Sequence, residues 1–430
     1  MIFIMSGKGM MRFIKRTGDN MRLGIYLDNS KIHTDDFSMI EVANPGIGGT
    51  EYEFIILIKN IKRYLQDVKL DVFQTKEMAF SDTVDRTTIV KNMEEAIRLA
   101  SGQEDIMIVR TETDRRIPKA TNGCKIITWS HNYFNGKIAD DISKREDIGA
   151  NVFVGRQFYE SYLDHDIIEK STYIYNCMDF TPLQDKRNVE KLKPICAYIG
   201  SLVPAKTFHV LAEAWPKVVE EIPEAKLWVI GSSGVYGLNT GLGEMGLAEE
   251  NYEERFISLL SNVIDSVVFY GNVGCDKYNI LKQVKVGVIN PAGVETFGIS
   301  AVDFSSMEIP VISRNRYGVK DVILQEKTGV LINNPKKLAG TIIKLLKDNE
   351  LNKTLGEAGR KYVTTEFCVE NSMRKWAELL MLVYLGKSMP FKKPSESFFN
   401  NYKFLRIIMH RIRKILHLSN RFALCNLLKK

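Results

Sequence analysis

The chain has 430 residues, of which 45% are hydrophobic and 26% are charged, and its formal net charge at pH 7 is +7. This composition is typical of a globular protein, and the length predicts two domains of roughly 200 residues each. No apolar run approaches the roughly 18 residues that a membrane-spanning helix needs, so a transmembrane segment is not expected.

The positive charge is concentrated at the C-terminal end. Residues 387–430 contain eleven basic residues and one acidic residue, so this tail carries +10 and residues 1–386 carry −3. A mildly acidic body argues against nucleic-acid binding, whereas the tail predicts contact with an anionic surface.

The cysteine pattern favours a cytosolic protein. None of the six cysteines forms a Cys-x-x-Cys pair, so we expect reduced thiols rather than disulfides or metal ligands. The apolar stretch at the N-terminus is too short for a secretory signal, and residues 1–21 are predicted to be an extension.

Strand-like and helical runs alternate along the chain. The predicted strands cover residues 22–27, 68–73, 105–109, 125–129, 151–154, 172–175, 195–199, 226–230, 266–270, 285–289 and 309–313, and the clearest helices cover 50–65, 87–100, 207–221 and 336–347. Short strands that are apolar on both faces are typical of buried parallel sheets. The sequence therefore predicts an α/β protein with two Rossmann-like domains, at residues 22–180 and 194–386, joined by a polar linker at 181–193 and followed by the tail.

Loops that follow strands are the candidate ligand sites of such sheets. In the first domain, Gly48 and Gly49 precede helix 50–65, where glycines let a backbone approach a ligand, although glycine pairs also mark ordinary turns. His131 follows the fourth strand, where it either faces a ligand or is a structural histidine.

The second domain supplies three further loops. Lys206 precedes helix 207–221, where it is either a phosphate contact or an ordinary surface lysine. Glu295 comes just before a helix that opens near Gly298, and Asp303 follows eight residues after Glu295. A helix start suits a diphosphate, and ionised carboxylates accept hydrogen bonds from sugar hydroxyls. Arg314 lies in a loop of the same kind.

Taken together, these loops resemble those of the retaining glycosyltransferases of family GT4, which have the GT-B fold of two Rossmann-like domains facing across a cleft. The resemblance covers about residues 22–385 and is densest in the second domain. Its motifs there are Tyr198-Ile199-Gly200 with Lys206, Phe269-Tyr270-Gly271, Asn290-Pro291, Glu295-Thr296-Phe297-Gly298, Pro310-Val311-Ile312-Ser313 and Thr328-Gly329-Val330-Leu331.

The resemblance implies a role for each matching residue. Glu295 is expected to contact the transferred sugar near its reacting carbon, and Asp303 to bind the nucleotide ribose. Lys206 is expected to contact the diphosphate, which the loop of Gly48 and Gly49 also approaches. Glu295, Lys206 and His131 are assigned to catalysis, and the other expected donor contacts are Ser201, Thr296, Phe297, Gly298 and Arg314.

Two positions depart from the family pattern. Ser201 stands where the family usually has an arginine that contacts the diphosphate, and Arg314 or Arg316 is a candidate replacement. Asp303 stands where the family has a glutamate, so its side chain is one methylene shorter. Family members of this kind generally need no metal, so neither a metal nor a cofactor is expected.

The function that the resemblance implies is retaining, metal-independent transfer of a hexose from a nucleotide sugar. The acceptor is expected to be a lipid-linked or cell-surface glycan intermediate of polysaccharide biosynthesis, and the enzyme cytoplasmic. Two alternatives stay open: a GT-B sugar-nucleotide epimerase, and a catalytically weak, glycosyltransferase-like partner subunit.

The tail carries its own pattern. Residues 395–430 contain no proline or glycine and predict a basic amphipathic helix, suited to an anionic surface at the inner face of the cell membrane. The alternative is a helix that packs on the protein body or on another subunit. Its apolar residues at helical spacing are Phe398, Tyr402, Leu405, Ile408, Met409, Ile412, Ile415 and Leu416, with Lys403, Arg406, Arg413 and Lys414 between them.

Overall fold

The computed structural model describes residues 4–5, 11–12, 20–32, 40–41, 44–65, 67–80, 83–181, 187–232, 241–390, 403–420 and 423. Its strands are β1 (Ile4–Met5), β2 (Met11–Arg12), β3 (Met21–Leu27), β4 (Val68–Gln74), β5 (Arg86–Ile89), β6 (Ile106–Arg110), β7 (Lys125–Ser130), β8 (Ile148–Phe153), β9 (Ser171–Tyr173), β10 (Ile195–Ile199), β11 (Lys226–Ile230), β12 (Val267–Gly271), β13 (Val286–Val288), β14 (Val311–Arg314) and β15 (Gly329–Ile332).

The helices lie between these strands or, for the last four, after β15. They are α1 (Gly49–Tyr64), α2 (Met93–Ala100), α3 (Gly136–Lys144), α4 (Arg156–Glu160), α5 (Phe208–Glu221), α6 (Glu250–Leu260), α7 (Lys277–Leu281), α8 (Ile299–Ser306), α9 (Val319–Val322), α10 (Leu338–Lys347), α11 (Asn349–Glu366), α12 (Val369–Tyr384) and α13 (Lys403–Ile415). Among the described residues, no helix combines the length and the apolarity that crossing a bilayer requires.

The chain forms two compact units. The first unit contains residues 1–32, 50–177 and 369–430, and the second contains residues 33–49 and 178–368. The division near residue 178 lies beside the predicted linker, of which residues 182–186 fall outside the described ranges. Two segments differ from the predicted domain ranges, because the loop before α1 belongs to the second unit and α12 belongs to the first.

The first unit is built on a seven-stranded parallel sheet with the order β5-β4-β3-β6-β7-β8-β9. Its helix α12 returns to this unit because Trp376 packs edge-on against Trp129 of β7, with ring centroids 4.9 Å apart. Within the predicted extension, β1 and β2 form a short antiparallel pair.

One predicted helix is wrong over its first part. Residues 86–89 form the edge strand β5, and the helix begins only at Met93. Asn92 sets that start, because its side chain accepts a hydrogen bond from the Glu95 N–H at 3.0 Å. The β-branched run of Thr87, Thr88 and Ile89 favours the strand.

The second unit contains a six-stranded parallel sheet with the order β12-β11-β10-β13-β14-β15. Trp215 of α5 is fully buried beside this sheet, and its indole donates to Ser266 at 2.8 Å. Two parallel sheets with interleaved helices confirm the predicted α/β class. Within this unit, loops that follow adjacent strands leave the same edge of the sheet.

Candidate functional site

Lys206 and Glu295 meet in the second unit. Lys206 ends a short 3₁₀ turn after β10, and Glu295 lies in the loop after β13. Because β10 and β13 are neighbouring parallel strands, both loops lie at one edge of the sheet. The Lys206 Nζ atom lies 2.6 Å from Glu295 Oε2, and the two side chains remain 25% and 18% exposed. A ligand can therefore reach both charges.

Asn290 holds the loop after β13 in shape. Its backbone has a φ of +37°, its amide donates to the Val294 carbonyl at 2.9 Å, and its Oδ1 accepts from the Gly293 N–H at 2.9 Å. The Thr207 hydroxyl donates to the same Oδ1 at 3.3 Å and accepts from the Ala292 N–H at 3.1 Å. This network fixes the loop after β13 to the start of α5.

The N-terminus of α8 lies directly beside Glu295. Gly298, the residue before α8, has a φ of +98°, a left-handed conformation that favours glycine. A β-carbon there would lie 3.4 Å from the Glu295 side chain. The first N–H groups of a helix lack intrahelical partners and can bind an anion.

Phe297 does not face this site. The side chain is only 2% exposed, and its ring packs edge-on against Phe367 at 5.1 Å. The apolar ring is thus part of the core, and the donor contact expected of Phe297 stays a prediction. Thr296, its neighbour, is partly exposed, and its donor contact stays a prediction.

Arg314 and Ser201 lie at the same edge of the sheet as the pair. Arg314 ends β14, the neighbour of β13, and its guanidinium donates to the Ala292 carbonyl at 3.1 Å. Arg314 therefore braces the loop that carries Glu295. Ser201 is partly exposed in the loop after β10. Their contacts with a donor stay predictions.

Asp303 is buried within the second unit. It is 3% exposed, and its carboxylate accepts hydrogen bonds from Lys277 Nζ at 2.8 Å and the Tyr278 hydroxyl at 2.7 Å. Sequence reasoning missed both partners, which lie at the start of α7. A ribose hydroxyl would have to compete with them for the Asp303 oxygens, and the ribose contact stays a prediction.

Glycines line the ends of three adjacent strands. Gly200, Gly231 and Gly271 lie at or directly after the ends of β10, β11 and β12. Gly231 has a φ of +132°, and a β-carbon there would lie 2.2 Å from the Gly200 carbonyl oxygen. The bare backbone offers a ligand close approach. Sequence reasoning missed Gly231, although a glycine directly after a strand was the signal.

The glycine loop before α1 also belongs to the second unit. Gly46 has a φ of +95°, and its carbonyl accepts a hydrogen bond from the Asn272 amide at 3.1 Å. Gly49 is the first residue of α1, and a β-carbon there would meet no atom within 4 Å. The conformation that demands glycine is therefore at Gly46, whereas the sequence singled out Gly48 and Gly49, whose donor contacts stay predictions.

His131 is buried in an aromatic cluster of the first unit. Its ring lies 4.5 Å from Trp129 and 5.8 Å from Phe54, measured between centroids. Burial, assisted by the charge of Arg110, lowers the pKa of His131 to about 3. The imidazole is therefore neutral at physiological pH, which fits the structural alternative, and its assigned catalytic role stays a prediction.

A second charged group lies in the first unit, where sequence reasoning did not find it. Arg110, at the end of β6, has carboxylate oxygens of Glu112, Glu51 and Asp28 at 3.1, 3.3 and 3.9 Å. Arg110 lines a pocket together with Asp28 and Glu51. Within the described ranges, no three His, Cys, Asp or Glu side chains come together as a metal site.

The second unit matches a known family. Residues 179–362 match the family model described as glycosyl transferases group 1. The chain is 29% identical over 191 residues to the capsular polysaccharide biosynthesis glycosyltransferase CapM of Staphylococcus aureus. This match covers 43% of this chain and 44% of CapM. The chain is also 26% identical over 197 residues to a GDP-mannose-dependent phosphatidylinositol monomannoside mannosyltransferase of Mycobacterium tuberculosis, and this match covers 44% of this chain and 47% of that enzyme. The matches therefore span about half the length of these curated relatives.

Solved structures resemble the whole fold. Sucrose-phosphate synthase from Thermosynechococcus elongatus superposes with a TM-score of 0.63 at 16% identity, covering 86% of this chain and 100% of that protein. Anabaena Alr3699/HepE in complex with UDP-glucose superposes with a TM-score of 0.61 at 13% identity, covering 84% of this chain and 99% of that protein. At such identities the likeness concerns the fold alone. The chain thus contains two Rossmann-like units, a fold that it shares with these structures, and its residues 179–362 match the glycosyl transferases group 1 model, in agreement with the resemblance found in the sequence.

Proposed function

We propose that this protein is a retaining glycosyltransferase that moves a hexose from a nucleotide sugar to a glycan acceptor without a metal ion. The observation that carries the proposal is the contact between Lys206 and Glu295 beside the N-terminus of α8. One cation, one carboxylate and a helix start thereby share a single sheet edge, and together they match the diphosphate and the sugar of such a donor.

The proposed reaction assigns each group a charge to stabilise. The bond between the anomeric carbon and the diphosphate oxygen breaks, and its electron pair stays on the diphosphate. The Lys206 ammonium and the first N–H groups of α8 stabilise that growing negative charge in place of a metal. The acceptor oxygen bonds to the anomeric carbon, and its proton passes to the departing diphosphate.

Glu295 is proposed to act on the sugar. A carboxylate next to the anomeric carbon stabilises the positive character of an oxocarbenium-like transition state. A bound diphosphate carries more negative charge than Glu295 and competes with it for Lys206. Donor binding would then free the Glu295 carboxylate to accept hydrogen bonds from sugar hydroxyls.

The relatives support a nucleotide sugar and a glycan as the two substrates. Their names include capsular polysaccharide biosynthesis and GDP-mannose-dependent mannosyl transfer, and one structural neighbour was solved with UDP-glucose. We therefore propose a cytoplasmic enzyme of polysaccharide or glycolipid assembly, with a lipid-linked or cell-surface glycan intermediate as the acceptor.

The first test is donor binding. A ligand that binds only the folded protein raises its melting temperature, and at a hundred times its Kd it stabilises the fold by about 2.7 kcal/mol. We would screen UDP-, GDP- and ADP-sugars by melting, and follow the best donor with a lipid extract by anomer-resolved NMR, with and without EDTA.

We expect one nucleotide class to stabilise the protein, and the product to keep the anomeric configuration in the presence of EDTA. Interconversion of the free sugar nucleotide would instead identify an epimerase. Donor binding without turnover would identify a catalytically weak partner subunit.

A further inference from the structure

Helix α13 is attached to the first unit through its arginines. Arg406 and Arg413 are seven residues apart, about two turns of helix, and therefore lie on the same face. They are 6% and 2% exposed, respectively. Arg406 contacts the Asp164 carboxylate at 2.7 Å and donates to the Ser161 carbonyl at 2.8 Å. The side of α13 that faces the protein is thus cationic, unlike the usual apolar inner face of a surface helix.

Arg413 makes the second attachment. Its guanidinium donates to the Asp164 carbonyl and to the Asn420 side chain, and it lies 3.4 Å from the Asp166 carboxylate. The Asn420 amide in turn donates to Asp140 at 2.6 Å. Because buried charges need these specific partners, the contacts fix which face of α13 points outward.

The outward face is apolar. Phe404, Ile408, Ile412 and Ile415 recur at spacings of three and four residues and are 71%, 53%, 39% and 74% exposed. At about 100° of rotation per residue, this row lies opposite the two buried arginines. Leu405 extends the same face.

Exposed cations lie beside this apolar row. The Arg411 side chain is exposed, and Lys414 is 46% exposed while it pairs with Glu169 at 2.7 Å. The whole tail carries a net charge of +10. A second copy of the chain seated on this face would bring two such tails together, so charge favours an anionic occupant over self-association.

We propose that α13 docks the first unit on an anionic membrane surface, with the apolar row in the interface and the flanking cations at lipid headgroups. The helix measures about 20 Å and would lie in the plane of the surface. This arrangement differs from the one expected from sequence, because Arg406 and Arg413 contact the protein rather than lipid. It goes beyond the proposed transfer reaction, and vesicle binding tests it without any donor.

The test compares matched pairs of exposed apolar side chains. Ile408→Gln with Ile412→Gln alters the apolar row, whose two members are 53% and 39% exposed. Ile89→Gln with Val268→Gln alters two edge strands at nearly equal exposures of 56% and 40%. Binding of the full-length protein is measured by co-sedimentation with vesicles of phosphatidylcholine, alone or mixed with phosphatidylglycerol.

We expect the wild type and the Ile89/Val268 variant to bind the mixed vesicles, and the Ile408/Ile412 variant to bind about tenfold more weakly. Arg411→Gln should weaken binding about fivefold at low salt. Phe404→Gln alone, at a 71% exposed position, provides a second variant.

Three results would overturn the proposal. They are equal binding by the two double variants, equal binding of the wild type to neutral and mixed vesicles, and a wild-type dimer that the Ile408/Ile412 variant converts to a monomer. The last result would identify a second copy as the occupant of this face.

Discussion

The ammonium of Lys206 and the carboxylate of Glu295 are 2.6 Å apart, although 89 residues separate them in the chain. The contact exists because β10 and β13 are adjacent in the sheet, so the loops that follow them share one edge. Part of each side chain faces solvent, so the pair adds little to stability by itself. Its arrangement is better explained by a ligand that uses both charges.

Lys206→Ala and Glu295→Gln should each reduce hexose transfer by about a hundredfold or more, because each removes a charge that acts on the transition state. Initial rates with a saturating donor measure this effect. Lys347→Ala provides the control, since Lys347 pairs with Glu221 at an exposed site of the same unit. Near wild-type rates in both site variants would refute the site assignment.

Asp303→Asn should destabilise the second unit by about 3 kcal/mol, because it leaves Lys277 buried without its counter-charge. Denaturant unfolding measures the loss. Glu221→Gln, which removes one partner of an exposed ion pair, should change stability little, because water screens that pair. Equal effects would show that Asp303 is not a structural ion-pair partner. A selective rise in donor KM with unchanged stability would instead favour the ribose contact.

Gly46→Ala should destabilise the fold by about 1 to 3 kcal/mol, because a side chain is strained at a φ of +95°. The new β-carbon would also lie 2.2 Å from the Asn272 amide oxygen, so that side chain must move. Gly49→Ala is the matched control. Gly49 is the first residue of α1, and a β-carbon there would meet no atom within 4 Å. Melting temperatures compare the two, and a greater loss in Gly49→Ala would contradict this reading of the loop.

His131 should make stability sensitive to acid. Its pKa falls from 6.5 in the unfolded chain to about 3 in the folded protein, so protonation favours unfolding. Its contribution to stability is complete above about pH 6.5 and declines toward about pH 3, by up to about 1.4 kcal/mol per pH unit. His131→Phe keeps an aromatic ring and should remove this decline.

Denaturant unfolding at about pH 7 and about pH 5 would measure this acid-dependent loss of stability. The wild type should lose about 2 kcal/mol more than His131→Phe over this interval. His417→Asn, at an exposed position in the tail, should behave as the wild type does. An undiminished acid sensitivity in His131→Phe would show that another group titrates.

Sequence patterns were sufficient for the fold class because apolar strands recur between amphipathic helices. The predicted strands 195–199 and 226–230 match β10 and β11 at both ends. The edge strand β5 escaped because three of its four positions are exposed, so its residues lack an apolar pattern. Strand β15 is also absent from the predicted strands, because it begins with Gly329 and glycine usually marks a turn.

The site was predictable where a charged residue follows a strand, as Lys206 and Glu295 do. The site was not predictable where a residue's role depends on the direction in which its side chain points. Sequence spacing cannot show that Phe297 turns into the core, or that Asp303 pairs with α7. The same limit applied to the tail, since the helical periodicity indicated two faces but not which of them contacts the protein.

The path of the chain between the two units makes the second one an insert. The Met178 N–H donates to the Phe367 carbonyl at 3.0 Å, and Met178 and Cys368 form a bridge, so the outgoing and returning segments lie side by side. A graft of residues 178–368 from a relative would therefore have its two junctions side by side. In such a chimera, the proposed donor site and the proposed membrane-docking helix would come from different parents.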